Sequence, residues 1–324
     1  MHAPTYREAL SRSWYLVWHN PFLWIFGILS MLLGQWGLGD FVGQLNLLSH
    51  QIILVPRELN GLMSMMSILN FSSIEPALYS IWLLLICVIL MSVVIFVAVS
   101  SRGALIASAA VWYKQKKRLS MNRAWNEGVK NFWTLLTLAV VNKSLQAIAI
   151  MSLAYFLVGG LMTGTPGYNI LAVVIMAIAI FIVLSLEAVT IFASGYAIID
   201  RDWFGEAVVR GWKLYKNHIV VSLELGIILI LAGVGLLGVI MIGTVGVMIP
   251  ATILWLIAGL SGWKILIGIG LALMAVLFAM LVIVASGIFN AFTTSAWIYL
   301  FMRMHHEGVV SRVVHHLRRW LRIK

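Results

Sequence analysis

The protein has 324 residues, of which 62% are hydrophobic and only 10% are charged, and its formal net charge at pH 7 is +11. Several apolar runs are too long for the core of a soluble domain, so the composition excludes a soluble fold and predicts an all-α polytopic integral membrane protein. In such a protein the positive charge indicates which loops stay in the cytoplasm, and it does not point to nucleic-acid binding.

Six apolar stretches meet the requirement of about 20 residues for a helix that crosses a bilayer. In chain order, these predicted spans cover residues 21–38, 77–100, 132–160, 170–199, 219–243 and 265–300. A further apolar stretch, 251–262, is too short to cross comfortably, so we expect an interfacial or re-entrant segment there. The outer loop, 39–76, mixes apolar and polar residues, and no motif in it indicates a role.

Lysine and arginine are unequally distributed between the two sides of this topology. If both termini are cytoplasmic, every Lys and Arg except Arg57, Lys143 and Lys264 falls on the cytoplasmic side, including the whole group from 102 to 130. Because Lys and Arg keep loops in the cytoplasm, we expect cytoplasmic N- and C-termini.

A similar joint precedes the first, third and fifth spans. It combines an apolar stripe at helical spacing, the pattern R-x-W, and an Asn five or six residues after the Trp. Arg and Trp lie on nearly opposite faces of a helix, so the Trp can enter the headgroup boundary while the Arg meets water and lipid phosphate. The Asn is expected to cap the start of the next helix. The joints contain Arg12, Trp14 and Asn20, then Arg123, Trp125 and Asn131, then Arg210, Trp212 and Asn217.

Each joint therefore predicts a cytoplasmic interfacial amphipathic helix that is followed by a hairpin of two spans. This arrangement gives three pseudo-repeated units, at about 1–100, 101–199 and 200–303, within a single transmembrane domain, 1–303.

Several segments resemble those of a known group of membrane proteins. EALSRSWYLVWHNPFLWIFG, SRGALIASAA, AIIDRDWFGEAVVRGWKLYKN and WIYLFMR are similar to segments of six-span prokaryotic proteins related to the membrane domain of glycerophosphodiester phosphodiesterases. The resemblance covers most of the chain, and it implies a six-span fold and a location in a prokaryotic plasma membrane. We see no hydrolase domain, so that activity does not carry over.

Three ionisable side chains fall within predicted spans: Lys143, Glu187 and Glu224. Lys143 and Glu187 lie about 16 and 18 Å from the cytoplasmic ends of their spans, so they can form a buried pair that fixes the register of the second hairpin. The alternative is a polar pathway for a proton, an ion or a head group. Its lining would be Asn142, Lys143, Gln146, Ser185, Glu187 and Glu224.

The fifth span is rich in glycine. Its Gly-x-Gly-x-x-Gly pattern at 233–238 lacks the strand that a dinucleotide site requires, so we reject that interpretation. We expect the glycines to allow close packing of helices, because small residues let membrane helices approach. They are Gly226, Gly233, Gly235, Gly238, Gly243 and Gly246.

Residues 304–324 form a basic tail with an apolar stripe at helical spacing, which predicts an amphipathic helix on the anionic inner leaflet; a solvated tail is the alternative. The lipid-facing residues would be Arg312, Arg318, Arg319, Trp320 and Arg322. The His pairs at 305–306 and 315–316 have no Cys or carboxylate cluster beside them, so no metal site is expected.

The cytoplasmic segments do not offer a nucleophile, a base and an orienting acid together, so we expect neither an enzyme nor a cofactor. The favoured function is a non-enzymatic envelope scaffold or lipid-organising factor, with anionic inner-leaflet lipids as partners and no nucleic acid. The alternative is a transporter or permease for a small or lipid-derived solute, which would use the polar residues of spans three to five.

Overall fold

The computed structural model describes residues 5–31, 74–163, 166–261, 263 and 265–307. Within these ranges every regular element is an α-helix. The helices in chain order are α1 (Thr5–His19), α2 (Phe22–Met31), α3 (Ile74–Gln115), α4 (Met121–Lys130), α5 (Phe132–Thr163), α6 (Pro166–Ile199), α7 (Phe204–Asn217), α8 (Ile219–Ser261) and α9 (Ile265–Glu307).

Five of the described helices, α3, α5, α6, α8 and α9, are long and apolar enough to cross a membrane. They coincide with the second to sixth predicted spans, so the protein is a helical polytopic membrane protein. The first predicted span appears as α2, which has 10 residues and a length of about 15 Å. Residues 32–38 of that span lie outside the described residues.

Three helices extend well past their predicted bounds. α3, α8 and α9 contain 42, 43 and 43 residues, or about 63 to 65 Å, roughly twice the thickness of the hydrocarbon core. Segment 251–262, which is expected to be interfacial or re-entrant, belongs as far as Ser261 to α8, which continues through Pro250; its position relative to a membrane stays a prediction. The proline removes one backbone hydrogen bond, whereas a complete break would leave several groups unpaired in apolar surroundings.

The predicted tail helix, with Arg312, Arg318, Arg319, Trp320 and Arg322, lies outside the described residues, which end at Glu307. The greater part of the outer loop, 39–73, also lies outside them. Residues 74–76 of that loop belong to the first turn of α3.

Contacts divide the chain into two compact units, with boundaries inside α3 and α4. Unit 1 contains the described residues within 1–31, 104–124 and 218–324, and unit 2 contains those within 32–103 and 125–217. In unit 1, α9 packs against α1, α2 and α8. In unit 2, α6 packs against α5 and α7.

A close crossing joins α2 to α9 in unit 1. A Cβ atom added at Gly27 would overlap the Gly287 carbonyl, so only glycine allows this approach. Beside the crossing, the amide of buried Asn290 donates hydrogen bonds to the Gly27 carbonyl, at 3.0 Å, and to Ser30 Oγ, at 2.8 Å. Because an unpaired buried polar group is costly, these bonds specify the register of the two helices.

Two close crossings organise unit 2. A Cβ atom at Gly103 of α3 would lie 2.7 Å from the Cα atom of Gly128 in α4. A Cβ atom at Gly211 of α7 would lie 2.9 Å from the backbone nitrogen of Ala193 in α6. The short helices α4 and α7 are therefore seated directly on the backbone of the long helices that precede them.

Candidate functional site

The three helices α1, α4 and α7 carry the R-x-W patterns, and in each of them the residue before the Trp is small and buried. These residues are Ser13, Ala124 and Gly211. All three belong to the apolar stripes that the sequence predicts for these helices, where each directly precedes the Trp in the pairs Ser-Trp, Ala-Trp and Gly-Trp. A small side chain at this position lets each helix approach its neighbours closely.

The Trp and Arg side chains of the joints lie mainly on the outside. Trp14 and Trp212 are 54% and 53% exposed, and Trp125 is half-buried against Phe96, with ring centroids 6.4 Å apart. The three joint arginines, Arg12, Arg123 and Arg210, are exposed.

Arg12 takes part in a charged cluster that connects α1 to α9. It lies 2.5 Å from Glu8, over the ring of Tyr299, and Glu8 also accepts a hydrogen bond from Arg303. Burial raises the pKa of Glu8, but the hydrogen bond from Arg303 and the charges of Arg12 and Arg303 outweigh it and hold this pKa below its ordinary value. Glu8 is therefore a carboxylate shared by two arginines.

Arg210 has a similar setting in unit 2. Its guanidinium lies 2.5 Å from Asp202 and 3.3 Å from Asp200, over the ring of Tyr196 in α6. The hydrogen bond to Asp202 and the charge of that carboxylate raise the pKa of Arg210. In both helices the joint arginine is thus held by acids and by a tyrosine from a long helix.

The Asn residues of the first two joints act differently from the prediction. The side-chain amide of Asn20 donates to the Leu16 carbonyl at 2.8 Å, and that of Asn131 donates to the Glu127 carbonyl at 3.0 Å. Each side chain therefore satisfies the last turn of the preceding helix and does not cap the start of the next one. A free carbonyl at a helix end needs such a donor as much as the N–H groups of the following helix need an acceptor.

The backbone carbonyls of Asn20 and Asn131 do accept the first hydrogen bonds of the helices that follow. The Asn20 carbonyl accepts a hydrogen bond from the Leu23 N–H, and the Asn131 carbonyl accepts one from the Leu135 N–H. In the third joint the corresponding bond goes to His218, six residues after the Trp, and Asn217 is the exposed last residue of α7. The prediction of Asn217 as the third cap was therefore wrong by one residue.

A polar cluster lies inside unit 2. Glu187 of α6 accepts hydrogen bonds at Oε2 from Gln146 Nε2, at 3.1 Å, and from Asn142 Nδ2, at 3.4 Å. Both amides belong to α5 and are buried. The three residues lie about 15 to 21 Å from the ends of α5 and α6 that flank residues 132 and 199, so they share one depth. The structure thus brings together three of the residues that the sequence grouped.

Arg102 of α3 joins this cluster, and the sequence analysis missed it. It was assigned to the cytoplasmic side because the apolar run ends near residue 100, but the helix continues to Gln115, about 20 Å further on. Arg102 is 6% exposed and interacts electrostatically with Glu187. The small residues that follow Arg102 were the available signal for a continuing buried helix.

A cavity of about 250 Å³ opens beside the cluster. Its lining is mostly apolar, and the polar groups that reach it come from Arg102, Asn142, Lys143, Ser144 and Glu187. Lys143 and Glu187 thus line one cavity, while a direct ion pair between them stays a prediction. Within the described ranges, no group of three or more His, Cys, Asp or Glu side chains could hold a metal ion.

Two residues of the predicted pathway lie elsewhere. Ser185 does not line the cavity; its hydroxyl contacts the Phe181 carbonyl at 2.7 Å and the Tyr215 hydroxyl at 2.6 Å. Glu224 belongs to unit 1, where it is half-buried on α8. The cluster of unit 2 therefore consists of Arg102, Asn142, Gln146 and Glu187, with Lys143 at the same cavity.

Comparisons with protein-family models, with curated proteins and with solved structures find no match.

Proposed function

We propose that this protein is a non-enzymatic, lipid-organising scaffold of a prokaryotic plasma membrane. In this proposal six spans form three pseudo-repeated hairpins, each preceded by an amphipathic helix on the cytoplasmic surface, and both termini are cytoplasmic. The basic tail would lie on the same leaflet. The resemblance to six-span proteins related to the membrane domain of glycerophosphodiester phosphodiesterases belongs to this proposal.

The observation that carries it is the setting of Trp14 and Trp212. Each is more than half exposed on a short helix whose other side is buried on a long apolar helix, and each lies two residues after an exposed arginine. Tryptophan favours the headgroup region, and cations favour the anionic inner leaflet. A helix fixed to the bundle with this outer face recruits anionic lipid around itself.

The test is lipid enrichment. The full-length protein is reconstituted in vesicles with equal amounts of phosphatidylglycerol and phosphatidylcholine, then extracted in polymer-bounded lipid discs. We expect phosphatidylglycerol in excess in the discs, and a clear loss of the excess for the double variant Arg123→Gln, Arg210→Gln. Each cation near an anionic surface contributes about 1 kcal/mol of attraction.

A matched control removes the same charge from the other predicted side of the membrane, with Arg57→Gln and Lys264→Gln. The proposal expects this control to retain more of the enrichment than the joint variant. Equal lipid ratios in discs and bulk, or equal losses in the two double variants, would contradict a role for the joints.

The cavity beside Arg102 and Glu187 supports a second candidate, a permease for a small or lipid-derived solute. Ionisable side chains in membrane spans are costly and often mark transport routes. Glu187 has amide and cationic neighbours within its own unit. Such neighbours fit a structural hydrogen-bond network as well as they fit a transport route.

Flux measurements separate the two functions. Uptake of a solute panel into proteoliposomes, with and without a pH gradient, is compared for the wild type and Glu187→Gln. A permease requires flux above that of empty vesicles, and a flux that changes with Glu187→Gln. Flux at the level of empty vesicles leaves the scaffold function as the sole candidate of the two.

A further inference from the structure

A cationic cleft separates α1 from the end of α3 in unit 1. Its volume is about 370 Å³, which is near the lower end of the range of about 300 to 1,000 Å³ for small-molecule sites. Its size therefore suits a head group or a small ester and not a whole lipid. We call it the α1–α3 cleft, and it is lined chiefly by Arg12, Tyr15, His19, Trp112, Lys116 and Arg118.

The charges that line this cleft share one sign. Three residues, Arg12, Lys116 and Arg118, are cationic, and among the described lining residues none is acidic. Glu8 pairs with Arg12 from outside the lining, where it also serves Arg303. In the part of the chain that the structure describes, no carboxylate forms an ion pair with Lys116 or Arg118.

Backbone geometry at the end of α3 supports a special role for Lys116. Its φ of 52° is the left-handed conformation that usually falls to glycine at this position, and its N–H donates to the Trp112 carbonyl at 2.9 Å. A side chain here costs about 1 kcal/mol or more. Lys116 adopts this conformation directly after the last residue of α3, and it lines the cleft. The helix end carries only about half a negative charge, less than the full positive charge of Lys116.

The walls of the cleft are aromatic. Tyr15 stacks on His19 with ring centroids 3.7 Å apart, and it lies 6.2 Å from Trp112. Rings of this kind cover the carbon part of a ligand while cations hold its anionic part.

We propose that the α1–α3 cleft binds a phosphate ester, with Lys116 and Arg118 on the phosphate and Trp112 and Tyr15 against the carbon part. Arginine and lysine bind phosphate oxygens by charge-assisted hydrogen bonds. The proposal deepens the lipid-organising function and rests on it only for the source of the phosphate, a lipid head group.

The test is the melting temperature of the full-length protein in a neutral detergent. The probes are dioctanoylphosphatidylglycerol and inorganic phosphate, with dioctanoylglycerol as the phosphate-free control. At a hundred-fold excess over Kd, we expect the melting temperature to rise by about 4 °C with the phospholipid. The double variant Lys116→Gln, Arg118→Gln should weaken binding by about 100-fold.

Lys114 and Lys117 provide a matched control, because both are exposed in the same stretch and neither lines the cleft. Lys114→Gln with Lys117→Gln removes the same charge and should leave the shift unchanged. A shift with phospholipid alone assigns the site to a head group with its chains, and a shift with inorganic phosphate as well assigns it to phosphate itself. If the melting temperature does not rise with phospholipid or with inorganic phosphate, or if both double variants lose the rise equally, the cleft does not bind a phosphate ester as proposed.

Failure of the cleft is distinguishable from failure of the scaffold function. The enrichment experiment changes Arg123 and Arg210, neither of which lines the cleft. If phosphatidylglycerol is enriched but the melting temperature does not rise, only the proposed binding of a phosphate ester in the cleft is refuted. If the melting temperature rises but phosphatidylglycerol is not enriched, only the scaffold function is refuted.

Discussion

Gln146 donates a hydrogen bond of 3.1 Å to Glu187, and the two residues belong to neighbouring membrane helices. The bond fixes a carboxylate beside buried Arg102, in a region where an isolated charge is costly. The polar cluster of unit 2 therefore depends on buried amides from α5 as much as on charges.

Replacing Gln146 should destabilise the protein. Gln146→Leu keeps a similar volume but removes a donor from Glu187, so we expect a loss of about 1 to 3 kcal/mol. Denaturant unfolding in detergent measures it. The control is Thr137→Val, an exposed site on the same helix whose hydroxyl bonds only within the helix, at 2.9 Å; its effect should stay within about 0.5 kcal/mol. Equal losses at both sites would contradict a network centred on Glu187.

Double-mutant cycles identify the cation that stabilises Glu187. We expect Arg102→Ala and Glu187→Ala to show a coupling energy of about 1 to 3 kcal/mol, because one change leaves the half-buried Glu187 and the other the buried Arg102 without the opposite charge. The cycle of Lys143→Ala with Glu187→Ala tests the predicted direct pair, and there too the double variant should recover part of the loss. Additive losses in either cycle would refute contact for that pair.

Glycine substitutions separate real helix crossings from glycines with free space. Gly103→Ala forces a Cβ atom against the backbone of Gly128, whereas Gly238→Ala adds one where nothing lies within 4 Å. Both changes gain helix propensity, so the difference between them isolates the crossing. We expect Gly103→Ala to be less stable by at least about 1 kcal/mol. Equal unfolding energies would contradict the close approach.

The glycine prediction for the fifth span was correct only in part. Of the six glycines predicted there, Gly226 is buried, Gly243 closely approaches a Leu281 side chain and Gly233 makes ordinary contact with Phe289. Gly235, Gly238 and Gly246 face open space.

Stability should depend on pH through Glu8. Its pKa is below the ordinary value in the folded protein, so its stabilising contribution is present above the unfolded pKa and disappears as pH falls through the folded pKa. The melting temperatures of wild type and Glu8→Gln should differ by a constant amount above about pH 5 and converge below it. Glu206→Gln, at an exposed position of α7, serves as the control. A difference that persists unchanged into acid would show that the carboxylate charge is not involved.

The sequence predicted the central hairpin well because its ends are strongly marked. Asn131 precedes α5 and the Asp200-Arg201 pair follows α6, so the apolar runs end close to the observed bounds. It could not predict that α3 continues through Arg102, because a charge at the end of an apolar run usually marks the membrane surface. The position of Glu187 in three dimensions, which the sequence does not specify, gives that buried arginine an acidic neighbour.

The joints were predicted as separate helices, but their chemistry was only partly readable. An Asn between two helices can serve either one, and spacing alone does not decide which carbonyl or N–H its side chain reaches. The acids that hold Arg210 lie 8 and 10 residues before it, on the turn after α6. Such a pairing depends on how the turn folds, which local periodicity does not specify.

Site-directed labelling of single cysteines tests most directly whether the joints share the cytoplasmic face. Cys87 is the only cysteine, so Cys87→Ser provides a clean background. Ser11→Cys in α1, Lys213→Cys in α7 and Trp263→Cys between α8 and α9 are all at exposed positions. They are treated with a membrane-impermeant maleimide in inverted and in right-side-out vesicles.

We expect the α1 and α7 cysteines to react only in inverted vesicles and the cysteine at 263 only in right-side-out vesicles. Labelling of α1 and α7 from the same side requires an even number of membrane crossings between them. The helices α3, α5 and α6 give three crossings, so a fourth crossing is needed between α1 and α3. Labelling of α1 and α7 from opposite sides, or of either one from the outside, would contradict the cytoplasmic joints and the scaffold function built on them.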